Sequence, residues 1–211
     1  MKLFRLFLIV FFSGIIINLN AQVFVGGSVG FNTSSDKHEG SSDQKSSIYN
    51  LNLKPVAGKF LSDKMALGLA LDLYLAGGKT ESTTETKSRS FGFGVSPFMR
   101  YYAVNWNKLS IFGQGGIGLE VSRSSLTTGG TTNDGPKISL IDLNIFPGLS
   151  YDISDKISLE TSLNIFRLGF SYNTIKDGGD VEKLSNFHFG TGLDNIASLN
   201  AIMIEQYIDF K

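Results

Sequence analysis

Met65-Ala66-Leu67-Gly68-Leu69-Ala70-Leu71-Asp72-Leu73-Tyr74-Leu75-Ala76 alternates without a break. Its odd positions are all large and apolar, and its even positions are Ala, Gly, Asp or Tyr. A period of two is a β-strand, with successive side chains on opposite faces. In a strand packed on a water-soluble core, the leucines would face inward and the second face would carry Lys, Glu and Thr into water. Here the second face is mostly Gly and Ala with one carboxylate. That combination fits a narrow barrel whose leucines face lipid and whose small residues crowd the lumen.

The same alternation recurs at 22–32, 47–60, 65–77, 89–104, 109–122, 137–152, 157–172 and 186–210. It predicts an all-β fold, an eight-stranded antiparallel up-and-down transmembrane barrel. The oily face runs through Val25, Val29 and Phe31, then Tyr49, Leu51 and Leu53, then Phe91, Phe93, Met99 and Tyr101. It continues through Ile111, Ile117, Leu119 and Val121, then Ile141, Leu143 and Ile145, then Ile157, Leu159 and Leu163. Long polar connections at 33–46, 78–88, 123–136 and 173–185 alternate with short ones at 61–64, 105–108 and 153–156. This asymmetry predicts long outer loops and short periplasmic turns, with both termini in the periplasm.

Three features disturb the pattern. Arg167 falls on the oily face if parity holds. It then sits at the outer headgroup level, or a bulge after Phe166 turns Leu168 and Phe170 outward instead. Phe187 and Phe189 set odd positions outward, whereas Ile202, Ile204, Ile208 and Phe210 set even ones, so a bend is expected at 194–198. Pro55, Pro97 and Pro147 each precede a short turn by a similar distance, and Pro cannot donate to a ladder, so each predicts a bulge or bend. Aromatic residues toward the short-turn end (Phe60, Tyr101, Tyr102, Trp106, Tyr151 and Phe210) read as an interfacial girdle.

Composition agrees. Lys2 and Arg5 precede an apolar stretch from Leu6 to Ile17, so residues 1–21 read as a signal peptide cleaved after Ala21, and 22–211 as the barrel domain. Its removal takes those two cations from the 19 Lys+Arg and nothing from the 19 Asp+Glu, leaving a formal charge of −2. No basic patch points to nucleic acid. With no Cys, disulfides and thiolate metal sites are excluded. Beyond residue 21 no apolar run is long enough for a membrane helix.

With this signal, these strands and turns, the recurring Pro segments 55–60, 97–102 and 147–151 and the ending Tyr207-Ile208-Asp209-Phe210-Lys211, the chain resembles the small outer-membrane β-barrel family of Gram-negative bacteria. That family includes OmpA/OmpX-like and porin-like domains. The resemblance covers 22–211. It implies an integral protein of the cell outer membrane, in contact with outer-membrane lipid, but no one activity. Members commonly end on Phe, which the barrel-insertion machinery reads in the C-terminal strand; here Lys211 follows Phe210.

The lumen parity collects Lys54, Asp72, Arg100, Glu120, Asp142, Glu160 and Glu205, with Asn50, Asn52, Gln114, Asn144 and Asn164. Lys54 and Asp72 are near mirror positions about the 61–64 turn and are expected to pair. Arg100 lies low, as do Glu160 and Glu205, and is expected to bridge them. Glu120 and Asp142 point inward on neighbouring strands, with Arg123 near in sequence to neutralise them. An eight-stranded barrel is just wide enough to be filled by side chains, so this polar network reads as a structural plug, with a narrow ion path as the alternative. No nucleophile elbow and no metal-ligand spacing occurs. His38 and His188 are the only histidines. The expectation is therefore a non-enzymatic barrel without catalytic residues, cofactor or metal, whose outer loops meet an unknown external partner. The competing readings are a small channel or uptake component and a lipid-modifying enzyme.

Overall fold

The computed structural model describes residues 22–38, 44–82, 84–163, 166–191 and 203–208. The proposed signal at 1–21 and the terminal residues 209–211 lie outside them. Ten strands follow in order: β1 (Val23–His38), β2 (Gln44–Ser62), β3 (Met65–Glu81), β4 (Thr86–Trp106), β5 (Leu109–Thr128), β6 (Thr131–Ser154), β7 (Ile157–Ser162), β8 (Phe166–Asp177), β9 (Asp180–Thr191) and β10 (Met203–Ile208). Every pairing is antiparallel, and β1 to β6 each bond to the next. The up-and-down, all-β expectation therefore holds.

Strand number and closure differ from expectation. β7 and β8 both lie along β6, the first toward the short turns and the second away from them. Taken as two lengths of one strand they bring the count among the described residues to nine, not eight, because 186–210 holds parts of two separate strands, β9 and β10. At the short-turn end, called the lower end below, β10 bonds to both β7 and β1. Higher up, β9 bonds to β8 and, among the described residues, to nothing else. The sheet as described is thus not closed along its height.

The parity break falls a little earlier than expected. Gly148 faces Ser162 in β7, but Ile145 faces Leu168 in β8, so three steps along β6 stand opposite six along the chain. This odd excess puts Leu168 and Phe170 opposite the outward Ile145 and Leu143. The side chain of Arg167 lies outside the described residues. The bend expected at 194–198 also lies outside them, but Ile204 is exposed and its strand has the even-outward parity.

Pro55 and Pro97 are corrected: the register on either side of them is unchanged, so neither makes a bulge. Bulges sit instead between Phe60 and Ser62, Tyr102 and Val104, and Asp152 and Ser154, at the start of each short turn. In the second turn Asn107 takes φ 55°, a left-handed conformation that Asn tolerates better than most residues.

The polar connections read as outer loops are mostly strand. Pairing runs to His38↔Gln44, Thr80↔Thr86, Thr128↔Thr131 and Asp177↔Asp180. Backbone ladders need no alternation of side chains, and Ser and Thr suit a pleated surface. With polar residues on both faces these stretches carry no hydrophobic period.

The oily face points away from the lumen. Phe91, Met99, Ile117, Leu143, Ile145 and Phe187 are 43–71% exposed, whereas the inward Phe24, Ala66, Phe98 and Phe112 are at most 4% exposed. From Met65 to Leu75 the outward face is apolar at every position. Ten steps of about 3.3 Å, tilted by about 40°, rise about 25 Å, the height of the apolar band of a transmembrane barrel.

Candidate functional site

The lumen is occupied in two different ways. Near the lower end, aromatic side chains enter it from four strands: Phe24 from β1, Phe60 from β2, Phe98 and Tyr102 from β4, and Phe112 from β5. Room for the rings comes from glycines directly across the ladder. Phe24 pairs with Gly58, Phe98 with Gly68 and Phe112 with Gly148. A Cβ at Gly68 would meet Cε1 and Cε2 of Phe98 at 2.8 and 2.9 Å, and one at Gly58 or Gly148 would collide with the opposing phenyl ring. Phe60 stacks on Tyr102 with centroids 5.6 Å apart and meets Phe24 edge-on at 5.7 Å. Such pairs favour offset and edge-to-face geometry over area burial alone.

Arg100 threads this aromatic layer at 2% exposure. Its Nη1 donates to Glu160 Oε1 at 2.8 Å and lies 2.7 Å from Oε2. Nη1 also donates to the Tyr102 hydroxyl at 3.1 Å, while Nε and Nη2 donate to Gln114 Oε1 at 3.1 and 3.0 Å. The guanidinium carbon sits 4.4 Å from the Phe112 centroid and 5.3 Å from that of Phe98. A charge removed from water this completely is tolerable only when paired and hydrogen-bonded, and here it is both.

Above the layer the lumen opens into a cavity of about 330 Å³. Phe98 and Gln114 belong to its floor, and Lys54, Asp72, Glu120, Asp142 and Asn144 to its wall. Lys54 Nζ pairs with Asp72 Oδ1 at 3.0 Å, and Ser96 donates to Asp72 Oδ2 at 3.0 Å. Asn144 donates to Asp142 Oδ2 at 2.6 Å. A second cavity of about 500 Å³, lined by Asn52, Lys54, Asp72, Tyr74 and Glu120, continues upward. Below the layer, a third of about 430 Å³ holds Phe60, Tyr102, Lys108 and Asp152 in its lining.

The expected lumen residues are therefore brought together in two groups, Arg100 with Glu160 and Lys54 with Asp72, Glu120 and Asp142. Glu205 holds a register position opposite Gly26 and Ser158, and its side chain lies outside the described residues. Arg123 is on the outer face, opposite Phe91 and Lys137, and does not neutralise Glu120. Phe60 and Tyr102 are also corrected, from outer girdle to lumen layer, whereas Tyr101, Tyr151 and Trp106 are exposed outside. Missed altogether were the rings of Phe24, Phe98 and Phe112. Their signal was a large aromatic at lumen parity with a glycine at the mirror position across the turn. Among the described residues no group of acidic and His side chains is arranged to hold a metal. His188 lies against Gly169 on the lumen side of β9, at the row of Asn144, and the side chain of His38 lies outside the described residues.

On the hairpin tip of β3 and β4, clear of the apolar band, Lys79 pairs with Glu81 and Glu85, and Glu85 with Lys87. Hydrogen bonds from Lys79 and Lys87 lower the Glu85 carboxyl to about 2, and Lys79 lowers Glu81 in the same way. The two carboxylates raise Lys79 above the ordinary lysine value.

No family model and no curated relative matches this chain. Among solved structures it is similar to Neisserial surface protein A, at 16% identity over 88% of this chain and 96% of that one, with a TM-score of 0.38. It is similar also to a major outer membrane protein from Thermus thermophilus, at 12% identity over 89% and 99%, with a TM-score of 0.42. The transport unit of the autotransporter AIDA-I from Escherichia coli matches at 10% identity over 90% and 76%, also with a TM-score of 0.42.

Proposed function

We propose that this chain is an integral outer-membrane β-barrel protein, non-enzymatic, with a lumen plugged at the level of Arg100 and polar hairpins standing outside the cell. The observation that carries the reading is the inverted distribution of side chains. Phe, Leu, Ile and Met are exposed around a band about 25 Å high, while charge, small residues and one layer of rings face inward. Water would penalise such a band, and contiguous exposed apolar surface on this scale marks a lipid or protein contact.

In this reading lipid covers the band. The hairpins offer a polar surface for an external partner or for envelope integrity. The C-terminal strand is what the insertion machinery meets. The aromatic layer supports a filled lumen over the channel alternative, since the cavities above and below it are lined by opposite sides of that layer.

Conductance across a planar bilayer tests the lumen: the reconstituted chain is expected to give no steady channels, and steady channels would overturn the plug. Partition into detergent and a heat-dependent gel shift are expected, and a chain that stays in water without detergent would overturn the membrane reading. Replacing His38 and His188 is expected to leave lipid A composition unchanged; a change would restore the lipid-modifying alternative.

A further inference from the structure

Every charge cluster described so far contains both signs. One row on the outer face does not. The register sets Arg123 of β5 opposite Lys137 of β6, and Lys137 opposite Lys176 of β8. Phe91 of β4 and Val181 of β9 end the row. All three cations are exposed and share parity with outward apolar residues, Arg123 with Val121, Lys137 with Ile141, and Lys176 with Phe170. Arg89, two residues before Phe91, and Lys183, two after Val181, extend the belt to five cations on five strands. Asp134, opposite Ser125 beyond the row, is the neighbouring outward acid. None of the five cations forms an ion pair among the described residues.

Directly opposed like charges on one sheet face, with Cβ atoms about 5 Å apart, destabilise the pairing. Alone, the row costs stability, and an anion lying across it would remove that cost. Its depth says which anion. The row stands at the rim of the apolar band, just beyond Val121, Tyr172 and Phe170, where headgroups lie when lipid covers the band.

We propose that Arg123, Lys137 and Lys176 bind the phosphates of an outer-leaflet lipid. Two strand spacings separate Arg123 from Lys176 by about 10 Å, so a headgroup bearing more than one phosphate could span the row. The proposal rests on the membrane reading above, and its test separates the two.

The chain is reconstituted in vesicles of phosphatidylcholine, with and without phosphatidic acid, and lipid at the protein surface is followed with spin-labelled forms of each. A shell of motionally restricted lipid of either kind tests the membrane reading; its absence overturns that reading. Within the shell, phosphatidic acid is expected to be selected about five- to tenfold over phosphatidylcholine, the scale of one interfacial cation or slightly more. Arg123→Gln with Lys137→Gln and Lys176→Gln should bring selection to near one while the shell keeps its size. Lys79→Gln should leave it unchanged.

A second readout does not depend on the triple variant. Lys137→Gln should raise the urea midpoint in phosphatidylcholine, by relieving repulsion, and lower it when phosphatidic acid is present. Selection that survives the triple variant, or a midpoint shift of the same sign in both lipids, overturns the proposal. So does selection abolished by millimolar inorganic phosphate, which would assign the row to the free ion.

Discussion

The two halves of the lumen hold charge on opposite terms. In the lower half Arg100 and Glu160 are 2% and 3% exposed and are enclosed by rings. In the upper half Lys54 and Asp72 are 42% and 34% exposed and border a cavity. The backbone is continuous between them, since β2 to β6 run through both halves. The difference lies in the inward residues. Below, glycine and alanine alternate with phenyl rings across the ladder; above, Asn, Asp, Glu and Lys reach toward water. A buried pair is costly to break and a wetted one is cheap, so the two halves should answer the same substitution very differently.

The largest effect is expected from Arg100. Arg100→Met removes the guanidinium that meets Glu160 at 2.7 Å in the buried layer and should cost about 3–5 kcal/mol in reversible urea unfolding from lipid vesicles. Replacing both, with Arg100→Met and Glu160→Leu, should recover most of that loss, because the desolvation of two charges disappears along with their attraction. A double variant as unstable as the single one would mean that the pair shapes the layer rather than filling it.

Glycine substitution sharpens the contrast next. Gly68→Ala puts a Cβ against the Phe98 ring and should cost about 1–3 kcal/mol, since a packed layer yields only by moving a side chain off its rotamer. Gly30→Ala, in the upper half, meets nothing nearer than Asn52 Cβ at 3.9 Å and should fall within about 0.5 kcal/mol of the parent. Equal costs in the same unfolding assay would mean that the upper cavity collapses in the membrane.

The two halves were also unequally legible in sequence. The leucine ladder at 65–75 carries the strand, its oily face and its parity, because a face kept wholly apolar enforces a strict period of two. The Lys54–Asp72 pair followed from mirror positions about one short turn. Parity places Arg100 in the lumen, but parity alone does not show its ring cage. Aromatic residues near strand ends suit an interface, but Phe60 shares its parity with the inward Lys54 and Tyr102 with the inward Arg100, so parity and not residue type decides their face. The bulges at 60–62 and 102–104 lie just beyond these residues. The ninth strand was hidden for a related reason: both parities occur between Phe187 and Ile208, and a bend within one strand and a break between two leave the same trace. The tall polar hairpins carried no period at all.

A smaller effect is expected in the upper pair. Lys54→Met removes one partner of a solvated ion pair and should cost less than about 1 kcal/mol, with salt weakening the parent by a similar amount. A loss near that of Arg100→Met would abolish the contrast between the halves.

The hairpin tip above the upper half extends the same gradient to full exposure, and there the effect is one of order and pH. Glu85 is lowered from 4.5 to about 2 by Lys79 and Lys87, and Glu81 is lowered by Lys79. A lowered carboxylate contributes in full above its unfolded value and loses that contribution as pH falls through its folded one. The tip should therefore hold its ion pairs above about pH 4.5 and release them between there and about pH 2. Lys79 is raised, so its contribution is complete below the ordinary lysine value and fades only as the pH climbs above it. Amide exchange at Thr80 and Thr86, which pair across the tip, measures this directly. Protection should fall through the acid window while that of Ala66 and Phe98, beside the buried layer, stays level. Loss of protection at both places together would mean that acid acts on the lumen pair, and that the lower half is less sealed than its rings make it.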